Sequence, residues 1–591
     1  MTEQDNYVFG QPPLTLSTCR RFRFDLRPMM ECISDILRAF VFACAMMTPL
    51  IGSTSSRGNA EASEPNIHIR EGWRTQQPQW PRETSSDPEI VTEDGAVKGI
   101  ASPNIDEFLG IPYAAPPLGD RRWTPPQPHG HWHGVLKATQ LGNQCPQLDS
   151  FGDEFGDEDC LFLNVYTPGP KTGQKSGHGL PVMVWIHGGN LTFWSGGLFD
   201  PTPLVEKGGV IVVTINYRLG VLGFLAHPSL DAEGHLNANY GLMDQQFALK
   251  WVRRNIAAFG GDPGQVTIFG ESAGGLSVYS QLASPTAAGL FQRAIAESGA
   301  YTSFQDYQQL ILPLETAETA GTAFAVSVGC GEQTAQCLRA TSAVALVDAE
   351  PGIVYPVVDG TVLTQPPGSA LAAGQFNRVP VISGSNHDEY RSFVAIDYDY
   401  LGTPLTDADY PAAVAAFVGL PLADPFVGSV LDLYPLSNYP PPPGVVSAPL
   451  ALGALGTDAV FACTGLNADR SLAKYVPTYA YEFNDEKAPL SLGLVPASFP
   501  LGAYHTAEIQ YLFNVFGTPA PFGGDQQRLS DTMIRYWTQF AKTGNPNSPG
   551  APVWPRYHIA TGQFQSLVPQ KPGAEPDFDK DHQCSSFWSA F

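Results

Sequence analysis

The sequence predicts an α/β fold, with a large, mostly parallel central sheet covered by helices on both faces. From about Glu89 onward short β-branched runs alternate with helical stretches, and the runs are apolar throughout, without polar alternation. That habit belongs to strands buried on both faces, as a parallel sheet flanked by helices requires. A further sign is a serine in a glycine-rich pentapeptide that lies directly between one such run and a helical stretch.

The chain has 591 residues, 43% of them hydrophobic, so it can bury a sizeable core. Its 57 acidic residues against 33 basic ones leave a formal charge of −24, which argues against nucleic acid as a partner because phosphate binding needs a basic patch. Charged residues make up only 15%, while 59 glycines and 53 prolines point to many turns and long loops. Apolar and aromatic residues run through most of the chain, which separates this composition from disorder.

Residues 1–52 read as an N-terminal extension holding a signal-peptide-like segment, Ala39 to Gly52 (AFVFACAMMTPLIG). Its 14 residues suit the apolar core of an export signal and are too few to span a bilayer. Glu31 and Asp35 stand where such a signal carries positive charge, and a start at Met29 or Met30 would give an ordinary signal length. The expectation is therefore a secreted protein with no stable membrane insertion once the signal is removed, with an N-terminal membrane anchor as the alternative. Residues 53–88 are Ser-, Pro- and Gln-rich without periodicity and read as a flexible lead-in.

The clearest strands are 182–186 (VMVWI), 210–215 (VIVVTI), 266–269 (VTIF), 379–383 (VPVIS) and 478–482 (TYAYE). Between the second and third, Phe247, Leu249, Trp251, Val252 and Ile256 recur at near-helical spacing, predicting a crossover helix.

The pentapeptide is Gly270-Glu-Ser272-Ala-Gly274, a G-x-S-x-G between strand 266–269 and the apolar-periodic stretch 276–282. A serine on so sharp a turn presents its hydroxyl outside the sheet, and the small flanking residues let the backbone pack around it. A Gly-rich turn that merely contains serine is the plain alternative, and its position after a buried strand argues against that. A serine hydroxyl is a weak nucleophile; it needs a base, an acid to orient the base, and donors for the oxyanion. Upstream, strand 182–186 runs into His187-Gly-Gly-Asn190, whose N–H groups can join that of Ala273 around a developing negative charge. Downstream lie the acidic loop Gly384-Ser-Asn-His-Asp-Glu389 and the stretch Gly502-Ala-Tyr-His505-Thr-Ala-Glu508.

With these stretches in hand, the chain resembles type-B carboxylesterases, the cholinesterase and fungal-lipase branch of the α/β-hydrolase superfamily. The resemblance covers nearly all of residues 89–591 and makes them a single catalytic domain. It is carried by FLGIPYAAPP from Phe108, EDCLFLNV from Glu158, Asn216-Tyr-Arg218, GESAGG from Gly270 and Glu297-Ser-Gly299. It implies Ser272 as nucleophile, Glu389 as acid and His505 as base, with oxyanion donors from Gly189, Asn190 and Ala273. Asp388 beside Glu389 and His387 in the same loop are the competing candidates for acid and base. The family mechanism uses an acyl-enzyme and needs no metal or organic cofactor.

Nine cysteines and no C-x-x-C spacing with partner histidines favour disulfides over zinc. The resemblance implies Cys145–Cys160 and Cys330–Cys337, and then Cys463–Cys584 as a tie of the C-terminus. The chain departs from the family at Asn190, where a third glycine is usual, and at Trp194, where small residues are common. Asn tolerates positive φ better than most residues, so the departure at Asn190 does not exclude activity. Asn190-Leu-Thr192 also matches a glycosylation sequon, but a glycan there would block the oxyanion hole.

The stretch enclosed by Cys145 and Cys160 carries Asp149, Asp153, Glu154, Asp157, Glu158 and Asp159 but no Trp or Tyr. The cation–π partner that choline esters use in this family is therefore missing, and the stretch is short and acidic where lipases carry a long amphipathic lid. The expected substrates are small or medium-chain soluble esters reached through an open gorge. A lipase, an acyltransferase on the same fold and a non-catalytic binding protein are the other readings. The Tyr439-Pro-Pro-Pro-Pro-Gly444 run reads as a rigid surface loop.

Overall fold

The computed structural model describes residues 87–149, 152–169, 179–236, 238–300, 311–350 and 354–588. The export-like segment and almost all of the lead-in lie outside the described residues, as do Cys19, Cys32 and Cys44.

One sheet of 11 strands organises the domain. In chain order these are β1 (Ile100–Ala101), β2 (Ile105–Pro112), β3 (Phe162–Pro168), β4 (Leu180–Ile186), β5 (Ile211–Ile215), β6 (Gly261–Glu271), β7 (Arg293–Glu297), β8 (Val381–Asn386), β9 (Thr478–Phe483), β10 (Phe564–Leu567) and β11 (Gly573–Glu575). They lie side by side as β11-β10-β9-β8-β7-β6-β4-β5-β3-β2-β1. From β10 to β5 every neighbour is parallel, and the flanking pairs are antiparallel. The predicted parallel sheet is thus the centre of a mixed one, with hairpin-like strands closing both edges.

The apolar runs form the strands they predict, with two corrections. The run 379–383 becomes Val381–Asn386, because Pro380 has no N–H to give the ladder. At the other end Gly384, Ser385 and Asn386 stay in register with Tyr481, Glu482 and Phe483, so the strand carries the chain closer to Glu389 than the run suggested. Strand β7 (RAIAE) escaped the apolar pattern because it is short and bounded by charges, yet its Glu297 is fully buried.

Helix α1 (Tyr240–Asn255) is the predicted crossover, and α2 (Ala273–Ala283) follows β6. These two and α5 (Gly524–Thr543) pack on the central strands. Between α2 and α5 runs one long helical stretch, α3 (Ala448–Gly456) and α4 (Cys463–Leu472), joined by a wider turn over Thr457–Ala462. It is apolar enough to cross a membrane by length and composition, but 89% of its most apolar window is buried inside the protein, as a core helix should be. All three expected disulfides are formed: Cys145–Cys160, Cys330–Cys337 and Cys463–Cys584.

Candidate active site

The parallel strands deliver their C-terminal ends to one edge, where open α/β sheets place their sites. Ser272 follows β6 with φ +56° and ψ −123°, a backbone conformation that non-glycine residues rarely adopt. Close packing holds it there. A Cβ on Gly274 would lie 2.0 Å from the Ile186 carbonyl oxygen and one on Gly270 2.5 Å from the same atom, so neither position admits a side chain. The Ser272 N–H donates to the Glu297 carbonyl oxygen at 2.9 Å, tying the turn to β7.

The loop after β4 lies against this turn. A Cβ on Gly188 would stand 3.3 Å from Ser272 Cβ. Gly189, Asn190 and Leu191 all have positive φ, at +83°, +54° and +62°. The backbone therefore turns tightly, with Thr192 and Phe193 N–H groups returning to the Gly189 carbonyl at 2.9 and 3.0 Å. Asn190 reaches the left-handed conformation that a third glycine would supply. Its side chain is buried, and Nδ2 has no partner among the described residues, which makes the sequon a poor glycan site. The N–H groups of Gly189, Asn190 and Ala273 have no protein acceptor among the described residues, as an oxyanion site requires. The Asn216-Tyr-Arg218 stretch buttresses the loop. Tyr217 donates its hydroxyl to the His187 carbonyl at 2.7 Å and stacks on the His187 ring at 4.5 Å, while Asn216 Oδ1 accepts from the Gly196 N–H at 2.9 Å.

Glu389 and His505 come from separate loops, after β8 and after β9, and meet with 2.6 Å between Glu389 Oε2 and His505 Nδ1. The other carboxylate oxygen accepts from the Asn386 N–H at 2.8 Å. Glu389 is fully buried, and the imidazole packs against the stacked pair of Phe393 and Phe461 rings, at 5.1 and 5.0 Å from their centroids. His505 Nε2 faces the serine turn, 3.3 Å from Oε1 of Glu271, the residue before Ser272. No direct hydrogen bond joins Ser272 Oγ to His505, a contact that in such sites tightens on substrate binding. Asp388 points away from His505, to the Ala503 N–H and Arg391, and His387 pairs with Asp388.

Three further acids were present in the quoted motifs but had drawn no role. Glu271 is the variable position of the pentapeptide, Glu297 opens Glu-Ser-Gly, and Glu508 lies three residues after His505; all are fully buried. Burial, followed by the charges of Glu508, Glu389 and Glu297, pushes Glu271 well above the usual carboxyl range. Burial also raises Glu297, to about 8, against the hydrogen bond it accepts from Trp537. This part of the core thus favours the protonated form of Glu271 and Glu297. Among the described residues no cluster of His, Cys, Asp and Glu is arranged to hold a metal ion.

The hairpin inside the first disulfide pairs Gln147–Leu148 with Glu154–Phe155. The Gln147 carboxamide spans to Trp194, accepting from its N–H at 2.8 Å and donating to its carbonyl at 3.1 Å.

A profile described as "Carboxylesterase family" matches residues 86–587. Para-nitrobenzyl esterase of Bacillus subtilis (strain 168) is 36% identical over 499 residues, covering 80% of this chain and 93% of that protein. Liver carboxylesterase of Sus scrofa is 34% identical over 553 residues, covering 82% and 90%. Bile salt-activated lipase of Homo sapiens is 36% identical over 497 residues, covering 78% of this chain and 63% of that protein. A solved PNB esterase superposes with a TM-score of 0.68 at 33% identity, over 85% of this chain and all of that one. With its mixed sheet, its serine turn and these relatives, the chain belongs to the carboxylesterase family of α/β-hydrolases.

Proposed function

We infer that this carboxylic ester hydrolase acts through Ser272, Glu389 and His505 by way of an acyl-enzyme. His505 takes the Ser272 proton as Oγ attacks the ester carbonyl, and the N–H groups of Gly189, Asn190 and Ala273 hold the resulting oxyanion. His505 then returns the proton to the leaving alcohol, and water repeats the cycle on the acyl-serine. Glu389 holds the imidazole tautomer that leaves Nε2 free to accept a proton, and it stabilises the imidazolium. The observation that carries this reading is the short Glu389–His505 contact at the strand ends, with Nε2 turned toward the residue beside Ser272.

Small and medium-chain esters are the inferred substrates. The stretch enclosed by Cys145 and Cys160 is short and acidic in sequence, and its described strands Gln147–Leu148 and Glu154–Phe155 are fastened to the Trp194 segment through Gln147, which argues against a long amphipathic lid. The three disulfides support an oxidising, extracellular setting. The test is the initial hydrolysis rate over p-nitrophenyl esters from acetyl to palmitoyl, with wild type and Ser272→Ala in parallel. A short-chain preference that Ser272→Ala abolishes is expected. A long-chain preference would make this a lipase, and transfer to an added alcohol in place of hydrolysis would make it an acyltransferase.

A further inference from the structure

The catalytic acid and base sit on two loops that no strand pairing joins, yet their side chains meet at 2.6 Å. We propose that Asp388 is a positioning residue for the reaction: it clips the acid loop to the histidine loop and thereby sets the Glu389–His505 distance. The proposal rests on the reading of Glu389 and His505 as acid and base.

Asp388 engages both main-chain groups of one residue across the gap. Its N–H donates to the Ala503 carbonyl at 3.0 Å, and its Oδ2 accepts from the Ala503 N–H at 2.9 Å. Asp388 precedes Glu389 directly, and Ala503 stands two residues before His505, so the clip lies beside the pair it would align. On the same side His505 N–H reaches the Glu389 carbonyl at 3.3 Å, a weaker contact than either half of the clip. Oδ1 is anchored in turn by Arg391, at 2.8 Å, and by His387 Nδ1, at 3.1 Å.

The histidine loop is shaped to admit the carboxylate. Gly502 has φ +66°, and a Cβ there would fall 2.0 Å from Asp388 Oδ2. Burial of Asp388 pushes its carboxyl up, but the contacts with His387, Arg391 and the Ala503 N–H outweigh that and hold it below its ordinary value. The group therefore stays a carboxylate, the form that accepts both the Ala503 N–H and the Arg391 guanidinium.

Two substitutions test the clip. Asp388→Ala removes the side chain, and Gly502→Ala displaces it while leaving the Asp388 charge in place. Both should lower kcat roughly 10- to 100-fold with KM within about threefold, since misplacement near the reacting groups costs on that scale. Both should also move the acid limb of the kcat/KM pH profile to lower pH, because an imidazolium less well held by Glu389 gives up its proton more readily. Loss of stability alone would lower the melting temperature without moving that limb. Asp388→Asn, whose amide oxygen can still accept the Ala503 N–H, should recover most of the lost kcat. If Asp388→Ala does not fold, Arg391→Gln, which releases the outer anchor, should cost several-fold in kcat. Unchanged kcat in the folded variants would overturn the proposal, as would a loss in Asp388→Ala that Gly502→Ala does not reproduce, which would assign the effect to charge. Glu389→Gln is the control. If it loses activity while the clip variants do not, the clip alone fails; if it keeps wild-type kcat, the reading of the acid fails and the clip falls with it.

Discussion

Gln147 grips both main-chain groups of Trp194, accepting from its N–H and donating to its carbonyl, and so joins the first disulfide hairpin to the segment that follows the Gly189–Leu191 turn. Trp194 has φ +78°, an uncommon conformation for a bulky residue, and the two hydrogen bonds hold it there. The Gln147 carboxamide is buried and donates also to the Cys145 carbonyl, so the grip is anchored at the disulfide. Gln147→Ala should loosen the Gly189–Leu191 turn and, with that turn holding the oxyanion as proposed, lower kcat by about tenfold, less than the 100-fold or more that loss of a whole oxyanion donor costs. Steady-state kinetics on p-nitrophenyl acetate, with circular dichroism to verify the fold, checks this.

The positive φ of Asn190 makes a prediction about side-chain shape. Asn190→Gly should keep kcat within about threefold, because glycine adopts the same backbone freely, whereas Asn190→Val should reduce it about 100-fold by driving that backbone out of place. If both variants behaved alike, the backbone conformation of Asn190 would not matter to catalysis.

Glu271 yields a charge prediction. Burial and the neighbouring carboxylates raise Glu271 well above the usual carboxyl range, which favours its protonated form. Glu271→Gln copies that neutral form, so kcat at pH 7 should stay within about threefold of wild type. Glu271→Ala, which empties the space beside His505 Nε2, should cost clearly more.

The C-terminal segment carries a second acid–imidazole arrangement. His582 is buried between Asp458 Oδ1 at 2.6 Å and Glu482 Oε1 at 2.7 Å, two residues from the Cys463–Cys584 bridge. Burial alone would lower its pKa, but the two carboxylates raise it well above 6.5. The folded state therefore holds a proton that the unfolded chain releases above about pH 6.5. The stability this contributes is fully present below that pH and is lost as pH rises toward the folded-state pKa, at up to about 1.4 kcal/mol per pH unit. Burial would raise Glu482, yet His582 and then His387 hold it down, to about 2, so its own contribution is present above about pH 4.5 and lost only as pH falls through about 2. His582→Ala leaves two buried carboxylates without their cation and should destabilise by about 3–5 kcal/mol. Melting temperatures at pH 6.5 and 8.5 should show a steeper decline with pH in wild type than in the variant, in which Glu297 and other raised groups still contribute their own share.

Much of this protein could be read from residues in a row. A serine turn needs a buried strand before it, small residues beside it and a helix after it, and all three are local patterns; hence the turn at Gly270–Gly274 and the glycine loop after β4 were legible without coordinates. The parallel strands were legible for the same reason, except β7, whose bounding charges concealed it, β10 (FQSL), whose polar residues interrupt the apolar run, and the start of β8, which Pro380 displaced. Adjacent acids in one loop are a different matter. Asp388 and Glu389 differ in which side of a turn they face, and that depends on where the histidine loop, more than 100 residues away in the chain, lands against it. The raised Glu271 carboxyl and the Asp388 clip arise likewise from burial and from partners distant in sequence. Periodicity and steric demands are written along the chain; electrostatic roles and loop-to-loop distances exist only once the chain has packed.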